Sequence, residues 1–491
     1  MTGRASFGRL CALAAASAGG PAVVAISALA SPIAAAALAG GALLATAIAL
    51  WPVAGLLLSA AVVPLERIGR LTNDSSMYTF SLMRAIGLVT LAGIALHVAI
   101  GRRRVHVPAP LLLYGVYVGL GLLTLSHTTD WTYGVRAASA MFGNLLFLFV
   151  TITLVRTSRH ATWAVMAWLL TTTAIGLFTA YQWHNPASIV TENRFNTTGE
   201  RTQDERFATV LYDTSEYEVL DRTPRALGST SHPAVYGINV ILALPFYAYV
   251  LRLTRGRWLR ACVAAAGLVA CYNAVLTNTR AVIVTLLVTL LLIALTGLIR
   301  VRLPLVGLAL VASLALMPFV PSALYDRVFD PQNYRLGRSE TMRARLTYWT
   351  EGVNILQDHW LLGIGIGNQT ELPRRLRDRM DMPDNSTVHN EYLQSLLESG
   401  LMGYPWLVAF IAALWIRCRR GRRLLAALGR PDEAWLMQAC FVALLSVLFF
   451  GTQVDVLHFP LKGWWLVMGL AIVLSDHARR AWEARALEAT S

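Results

Sequence analysis

Apolar segments of about 20 residues recur along almost the whole chain, and this repetition constrains the fold more than any other feature. A helix of roughly 20 apolar residues is long enough to cross the hydrocarbon core of a bilayer, which is about 30 Å thick. Only 14% of the residues are charged, whereas soluble domains carry about 25%. The sequence therefore predicts an all-α, polytopic membrane protein.

The predicted membrane segments leave two long polar stretches between them. The first segment follows arginines and ends in the small-residue run ALASP, as a signal peptide does; because another apolar run follows at once, we predict an uncleaved helix, with a cleaved signal as the alternative. The first three segments are rich in Ala and Gly, and a re-entrant or interfacial piece is the alternative for one of them. The segments are predicted at residues 10–31, 33–49, 51–64, 79–100, 108–127, 135–156, 161–182, 234–251, 258–277, 281–299, 303–321, 401–416, 434–451 and 458–475.

Arginine-rich short loops predict the orientation of these segments. GRRR at 101–104, RLTRGRWLR at 252–260 and RCRRGRR at 417–423 alternate along the chain with arginine-poor turns. The positive-inside bias places such loops in the cytoplasm. Both termini are then expected in the cytoplasm, the number of spans is expected to be even, and the long polar stretches face the periplasm of a bacterial inner membrane.

The chain thus divides into alternating membrane and loop regions. We predict N-terminal membrane helices (1–182), a first periplasmic loop (183–233), central membrane helices (234–321), a large periplasmic loop (322–400), C-terminal membrane helices (401–475) and a cytoplasmic tail (476–491).

Composition and motifs argue against several functional classes. The net charge of +14 comes almost entirely from arginine, Lys462 being the only lysine; because the arginines lie in short loops between apolar segments, we do not expect a nucleic-acid partner. The five cysteines fall in or beside apolar segments and form no CxxC pair, which argues against disulfides and structural zinc. Walker A, GxGxxG and HExxH motifs are absent from the sequence, and we predict no metal and no cofactor.

The large loop contains ordered elements. In RARLTYWTEGVNILQDHW, Trp349, Val353, Leu356 and Trp360 recur at helical spacing and predict an amphipathic helix. The glycines of GIGIG then permit a tight turn or a close backbone approach. The charged run 374–380 is expected to be a solvated helix face.

Two residues, one in the large loop and one at the start of a membrane helix, have both a structural and a functional interpretation. His389 begins a helix that we expect Gly400 to end, and a histidine at a helix start is often only a structural hydrogen-bonding group. Arg280 opens a membrane helix at the outward side, where it could snorkel to the interface. An arginine there adds to the positive end of the helix dipole, a conflict that a bound anion such as a lipid phosphate would resolve.

Four motifs occur in an order that resembles the O-antigen ligase and O-antigen polymerase family. They are TNTRAVIV, RLTYW, HWLLGIGIGN and HNEYLQSLLESGLMG, and the resemblance covers about residues 225–475. Trp360 stands where the family pattern has a proline, which leaves the shape of the glycine turn open. The resemblance implies a GT-C-type membrane glycosyltransferase with usually 12 membrane helices, against the fourteen segments predicted above, and with short periplasmic helices that roof a cavity.

The resemblance also implies substrates and residue roles. The donor would be a glycan on undecaprenyl diphosphate, and the acceptor a hydroxyl of the lipid A-core in a ligase or of the next repeat unit in a polymerase. The cavity would open to the membrane for the polyprenyl tail and to the periplasm for the acceptor. The catalytic histidine of the family corresponds to His389, and the two diphosphate-binding arginines correspond to Arg280 and Arg345. Histidine titrates near neutral pH and suits a general base, while arginines hold phosphates bidentately, so that no metal would be needed.

Supporting residues and alternatives remain open on the sequence. Arg345 could pair with Glu351 or Glu340 on its own helix. His232 could line the acceptor path, or belong to a helix-entry turn signalled by Pro233. The supporting candidates are Arg343, Asn390, Tyr392 and His232.

Four functions compete: ligase, which we favour, polymerase, O-linked protein transferase, and a transporter of lipid-linked glycans. The first three share their chemistry and differ in acceptor. A transporter is expected to place charges within the membrane, and the predicted spans hold few. Residues 192–225 are polar with alternating charge and are expected to bind acceptor or to form a lid. Asp455 and His458, in the last outward turn, are expected to be exposed and solvated.

Overall fold

The structure, a computed structural model, describes residues 32–66, 68, 81–185, 209–212, 224–230, 232–299, 340–368, 371–376, 388–455 and 461–488. Its helices are α1 (Pro32–Leu50), α2 (Pro52–Val62), α3 (Leu82–Ala99), α4 (Ala109–Thr124), α5 (Trp131–Leu154), α6 (Ser158–His184), α7 (Pro233–Leu253), α8 (Arg257–Leu276), α9 (Arg280–Leu295), α10 (Glu340–Asp358), α11 (Glu371–Leu376), α12 (Glu391–Ala427), α13 (Pro431–Gly451) and α14 (Lys462–Glu488). The all-α prediction is confirmed, apart from two antiparallel three-residue strands, β1 (Val210–Tyr212) and β2 (Pro224–Ala226).

The multi-pass prediction is confirmed by eight described helices that are long and apolar enough to cross a membrane. Three more of the predicted segments form the shorter apolar helices α1, α2 and α9, and another is the buried first half of α14. The predicted segments 10–31 and 303–321 lie outside the described residues.

Short polar side chains mark where several spans begin. The side chains of Ser81, Asp130 and Thr157 accept a hydrogen bond from a backbone N–H in the first turn of α3, α5 and α6, respectively. Such caps satisfy amide groups that the helix itself leaves without a partner. The local sequence therefore sets the start of each of these helices.

Burial separates central from peripheral helices. In α7, 89% of the membrane-spanning window is buried, whereas the corresponding value for α3 and α8 is 22%. Aromatic rings fill the centre, where Tyr114 of α4 lies 4.4 Å from Trp465 of α14 and 5.2 Å from Phe410 of α12, measured between ring centroids. The exposed apolar faces of α3 and α8 are the surfaces that lipid would cover.

A second, smaller hydrophobic core lies between α10, α11 and the beginning of α12. Ile355, Leu372, Leu376, Val388 and Leu397 are buried there. We call these helices, up to Gly400, the roof. At Gly400 the backbone leaves the helical conformation (φ 56°, ψ −167°) and separates the roof part of α12 from its membrane part. The prediction that Gly400 ends the His389 helix is confirmed.

The predicted amphipathic helix exists as α10, and its predicted apolar face is confirmed in part, since Trp349 and Leu356 pack against the smaller core. Val353 and Trp360 are 46% and 55% exposed, while Glu351 and Ile355 are buried. The helix ends at Asp358, so Trp360 no longer follows helical spacing. The charged run predicted to be solvated begins in α11, where Arg374 and Arg375 pair with the buried Glu371 at 2.7 and 3.0 Å.

Candidate functional site

The glycine turn after α10 joins the roof to the membrane helices. Gly363, Gly365 and Gly367 all have positive φ, a conformation that favours glycine. A Cβ atom at Gly365 would lie 2.8 Å from the Thr124 carbonyl oxygen, and one at Gly367 would lie 2.6 Å from the Tyr133 carbonyl oxygen. The prediction of a close backbone approach is therefore confirmed.

The same turn stabilises the break in α12. The N–H groups of Leu401 and Met402 donate to the carbonyl oxygens of Trp360 and Leu361, at 2.9 and 3.0 Å. In the other direction, the Ile364 N–H donates to the Leu397 oxygen at 2.8 Å. These bonds supply partners for backbone groups that the interruption at Gly400 would leave unsatisfied. The turn forms with Trp360 in place of the proline of the family pattern.

His389 lies at the opposite end of the roof helix, in a left-handed backbone conformation (φ 52°). Both of its neighbours are held: the Val388 oxygen accepts from Trp349 Nε1 at 2.9 Å, and Asn390 caps α12 by accepting from the Tyr392 and Leu393 N–H groups. Among the described residues, Asn278 is the only other non-glycine residue with positive φ, and it lies two residues before Arg280. Strained backbone of this kind costs about 1–3 kcal/mol and occurs most often at functional sites.

Asp455 is the site residue that the sequence did not reveal. It is 4% exposed, and its Oδ2 lies 3.8 Å from His389 Nδ1. The prediction that Asp455 is exposed and solvated was wrong, because the turn after α13 folds under the roof instead of into solvent. His458 lies outside the described residues.

Arg345, on α10, completes a charged cluster with His389 and Asp455. Burial lowers the pKa of Arg345, and the Asp455 carboxylate raises it. Its Nε atom is buried and has no hydrogen-bond partner among the described residues. Glu351, the proposed alternative partner, lies 3.9 Å from Arg375. The side chains of Glu340 and Arg343 are outside what the structure describes.

These surroundings favour a neutral His389. Desolvation lowers the pKa of His389, the Asp455 charge raises it, the Arg345 charge lowers it, and the net shift is below the ordinary value. The ring nevertheless keeps 46% of its side-chain surface accessible, so an incoming molecule can reach it. The imidazole is thus accessible, lies beside a carboxylate, and has a pKa shifted in favour of its neutral form.

Arg280 is the first residue of α9, as predicted, and its side chain is exposed. The hydroxyls of Thr289 on α9 and Ser446 on α13 are hydrogen bonded at 2.8 Å and fix the register of these two antiparallel helices. Arg280 lies nine residues before Thr289, and Asp455 nine residues after Ser446. Arg280 therefore lies at the same end of the bundle as Asp455.

The remaining candidates have structural partners. The Tyr392 hydroxyl donates to the Leu448 oxygen at 2.6 Å and ties the roof to α13. His232 Nδ1 accepts from the Ala234 N–H at 3.1 Å just before Pro233, which matches the helix-entry alternative. Arg225 of β2 is a residue that the sequence analysis did not single out. It donates to Thr279 Oγ1 at 3.0 Å and so anchors the first long loop beside Arg280.

Within the described ranges, no group of three or more His, Cys, Asp or Glu side chains is arranged to hold a metal ion. The charged cluster offers one imidazole and one carboxylate, together with a guanidinium. The imidazole suits proton transfer, and the guanidinium suits binding of an anionic group of a substrate.

Residues 263–408 match the sequence pattern of the family described as O-antigen ligase. No curated protein matches the chain significantly. The matched region contains Arg280, Arg345, the glycine turn and His389, whereas Asp455 lies beyond it. This region of the chain, a multi-pass membrane protein, is thus similar to the O-antigen ligase domain family, whose members include both ligases and polymerases of O-antigen glycans.

Proposed function

We propose that this protein is an O-antigen ligase that transfers a glycan from undecaprenyl diphosphate to a hydroxyl of the lipid A-core oligosaccharide. The observation that carries the proposal is the cluster of His389, Asp455 and Arg345 under the roof, two of whose members lie in the family region. The similarity of residues 263–408 to the O-antigen ligase family supports glycan transfer in general. The choice of acceptor and the residue roles are our proposal.

His389 acts as the general base. Its Nδ1 faces Asp455, which leaves Nε2 for the acceptor hydroxyl. The acceptor oxygen forms a bond to the anomeric carbon while the bond from that carbon to the diphosphate oxygen breaks, and the hydroxyl proton moves to Nε2. The Asp455 carboxylate stabilises the imidazolium that forms. A single displacement of this kind inverts the anomeric configuration.

Arg345 and Arg280 bind the diphosphate leaving group. Guanidinium groups hold phosphate oxygens bidentately and stabilise the charge that develops as the glycosidic bond breaks. Together they supply positive charge without a divalent cation, so we propose a metal-independent transfer. An arginine at the first position of α9 also adds to the positive end of that helix, which favours an anion there.

The roof faces the periplasm in this proposal, and both termini face the cytoplasm. At the end of the bundle opposite the roof, Asp476 of α14 binds Arg417 at 2.5 Å and lies 3.3 Å from His106. These basic residues belong to or adjoin the arginine-rich loops that the positive-inside bias places in the cytoplasm.

A reconstituted assay tests the proposal. Purified protein in a bilayer receives undecaprenyl-diphosphate glycan and lipid A-core in the presence of a chelator, as wild type, as His389→Ala, and as His359→Ala. His359 is an exposed roof histidine and serves as the matched control. We expect product with wild type and His359→Ala, and a loss of about 10²–10⁴-fold with His389→Ala.

Varying the acceptor in this assay distinguishes the ligase from the other candidate functions. Longer polyprenyl-linked chains formed without added lipid A-core would assign the polymerase, and transfer only to a serine- or threonine-containing protein would assign the protein transferase. Full activity of His389→Ala would contradict the proposed mechanism, and so would a loss of wild-type activity when the chelator is added. Movement of donor across the bilayer without any transfer would support the transporter.

A further inference from the structure

The arginine-rich run at residues 417–423 is helical, although its composition predicted a short loop. It continues α12 without a break as far as Ala427. Counted from Gly400 at 1.5 Å per residue, Arg419 lies about 28 Å and Arg423 about 35 Å along the helix. The hydrocarbon core of a bilayer is about 30 Å thick. These arginines therefore lie near the edge of the hydrocarbon that is farther from the roof, at the level of lipid headgroups.

One face of this part of α12 packs against the bundle. Its buried residues recur every three or four positions: Leu407, Phe410, Leu414, Cys418, Gly421 and Leu425. The packing is close at Gly421, where a Cβ atom would lie 2.9 Å from Met437 Cε of α13 and 3.3 Å from Ser475 Cα of α14. Arg417 turns inward and binds Asp476 of α14. These contacts fix the rotation of α12 about its axis.

The opposite face of α12 is exposed and apolar up to the arginines. Trp415 and Ile416 are 36% and 45% exposed there and form a surface that lipid would cover. Arg419, Arg422 and Arg423 follow one of these two residues by four or seven positions, the spacing that repeats one helix face. The lipid-facing surface of α12 therefore continues directly into arginine side chains.

Four arginines of this run have no acidic partner on the described part of the protein. All four are exposed, and we call them the arginine stripe: Arg419, Arg420, Arg422 and Arg423. The sequence contains no Asp or Glu between Gly400 and Arg430, and Glu433 pairs with Arg430 at 2.8 Å. Like charges within one or two helical turns repel one another. An anionic group from outside the chain would offset this repulsion.

We propose that the arginine stripe binds the headgroups of anionic phospholipids in the leaflet farther from the roof. Guanidinium groups hold phosphate oxygens bidentately, and basic clusters next to a membrane helix attract anionic lipids. The position favours a lipid over a soluble acidic protein, because the stripe continues a lipid-facing surface and does not project away from the membrane. The proposal does not depend on glycan transfer, and it is tested without any glycan.

A photoreactive phosphatidylglycerol shows which segment of the chain the lipid contacts. The lipid, with its reactive group near the headgroup, is added below saturation to the protein in neutral detergent, and cross-linked peptides are located by mass spectrometry. We expect cross-links within residues 415–427, and about 10–30-fold fewer of them in the Arg419→Gln, Arg423→Gln variant, because each arginine contributes about fivefold in affinity. Phosphatidylcholine with the same reactive group should give few cross-links there.

The matched control removes the same charge at the same end of the bundle. It is Arg479→Gln, Arg485→Gln on α14, a helix that is largely buried up to Ala478, so these exposed arginines emerge away from the lipid-facing surface of α12. Cross-linking at residues 415–427 should persist in this variant. Because glutamine is a good helix former, both double variants should unfold at the temperature of the wild type.

Three outcomes would overturn the proposal. The first is undiminished cross-linking at residues 415–427 in the Arg419→Gln, Arg423→Gln variant, and the second is an equal loss in the control variant, which would indicate a general effect of charge. The third is equal cross-linking by phosphatidylcholine. Displacement of phosphatidylglycerol by polyglutamate at equal charge concentration would instead assign the stripe to an acidic protein and overturn its assignment to a lipid.

Discussion

The two ends of the roof helix differ in how they are held. At the Gly400 end, backbone groups of the helix bond to backbone groups of the glycine turn, and side chains are excluded by close approach. At the His389 end, a strained backbone presents an accessible imidazole to a buried carboxylate and an arginine. The roof helix thus has a rigid end at Gly400 and a reactive end at His389. The backbone hydrogen bonds at Gly400 support the geometry of the residues around His389.

Replacing Asp455 by asparagine removes the carboxylate beside His389 and should have the largest effect on turnover. Without the carboxylate, the imidazolium that forms on His389 loses its stabilising charge, so we expect kcat to fall by about 10²-fold with KM nearly unchanged. Steady-state transfer kinetics with the two substrates varied in turn would measure this. A fall in kcat/KM caused by KM alone would instead indicate a role for Asp455 in binding.

Replacing Gly400 by alanine should disrupt the contact between the roof helix and the glycine turn. Its φ of 56° and ψ of −167° belong to a region that only glycine adopts readily, so the backbone alone should cost about 1–3 kcal/mol. A Cβ there would also meet the Leu361 carbonyl oxygen. We expect a lower thermal-unfolding midpoint in detergent and reduced transfer by the surviving protein. Gly119→Ala, on α4 with open space around its Cα, is the matched control and should change neither quantity.

The pH dependence of transfer should report the electrostatics around His389. Because the pKa of His389 is lowered, the base form should already dominate at neutral pH, and activity should rise with pH through a value below 6.5 and then level off. Asp455 raises this pKa and Arg345 lowers it. The acid limb should therefore move to lower pH in Asp455→Asn and to higher pH in Arg345→Gln. Shifts of the same sign in both variants would contradict the electrostatic account.

The Gly400 end of the roof helix could be predicted from the sequence, but the His389 end could be predicted only in part. The helix end at Gly400 and a close backbone approach at GIGIG were predicted from the presence of glycine, which is a local property. Asp455 was missed because its burial depends on how the turn after α13 folds beneath the roof, a tertiary event without a local signature. Arg225 was missed for the same reason, since its contact with Thr279 crosses 54 positions of the chain.

Asn390 affects both the stability of the roof helix and the position of His389, because it caps this helix immediately after the histidine. Its Oδ1 accepts from two N–H groups at 3.0 and 3.2 Å, and Asn390→Ala should cost about 1 kcal/mol of stability. The cap also fixes the backbone on one side of His389, so kcat should fall severalfold more than the small loss of folded protein explains. Asn390→Asp keeps the acceptor and should restore the unfolding midpoint. If Asn390→Asp recovers stability but Asn390→Ala and wild type turn over equally, the cap stabilises the helix without positioning the histidine.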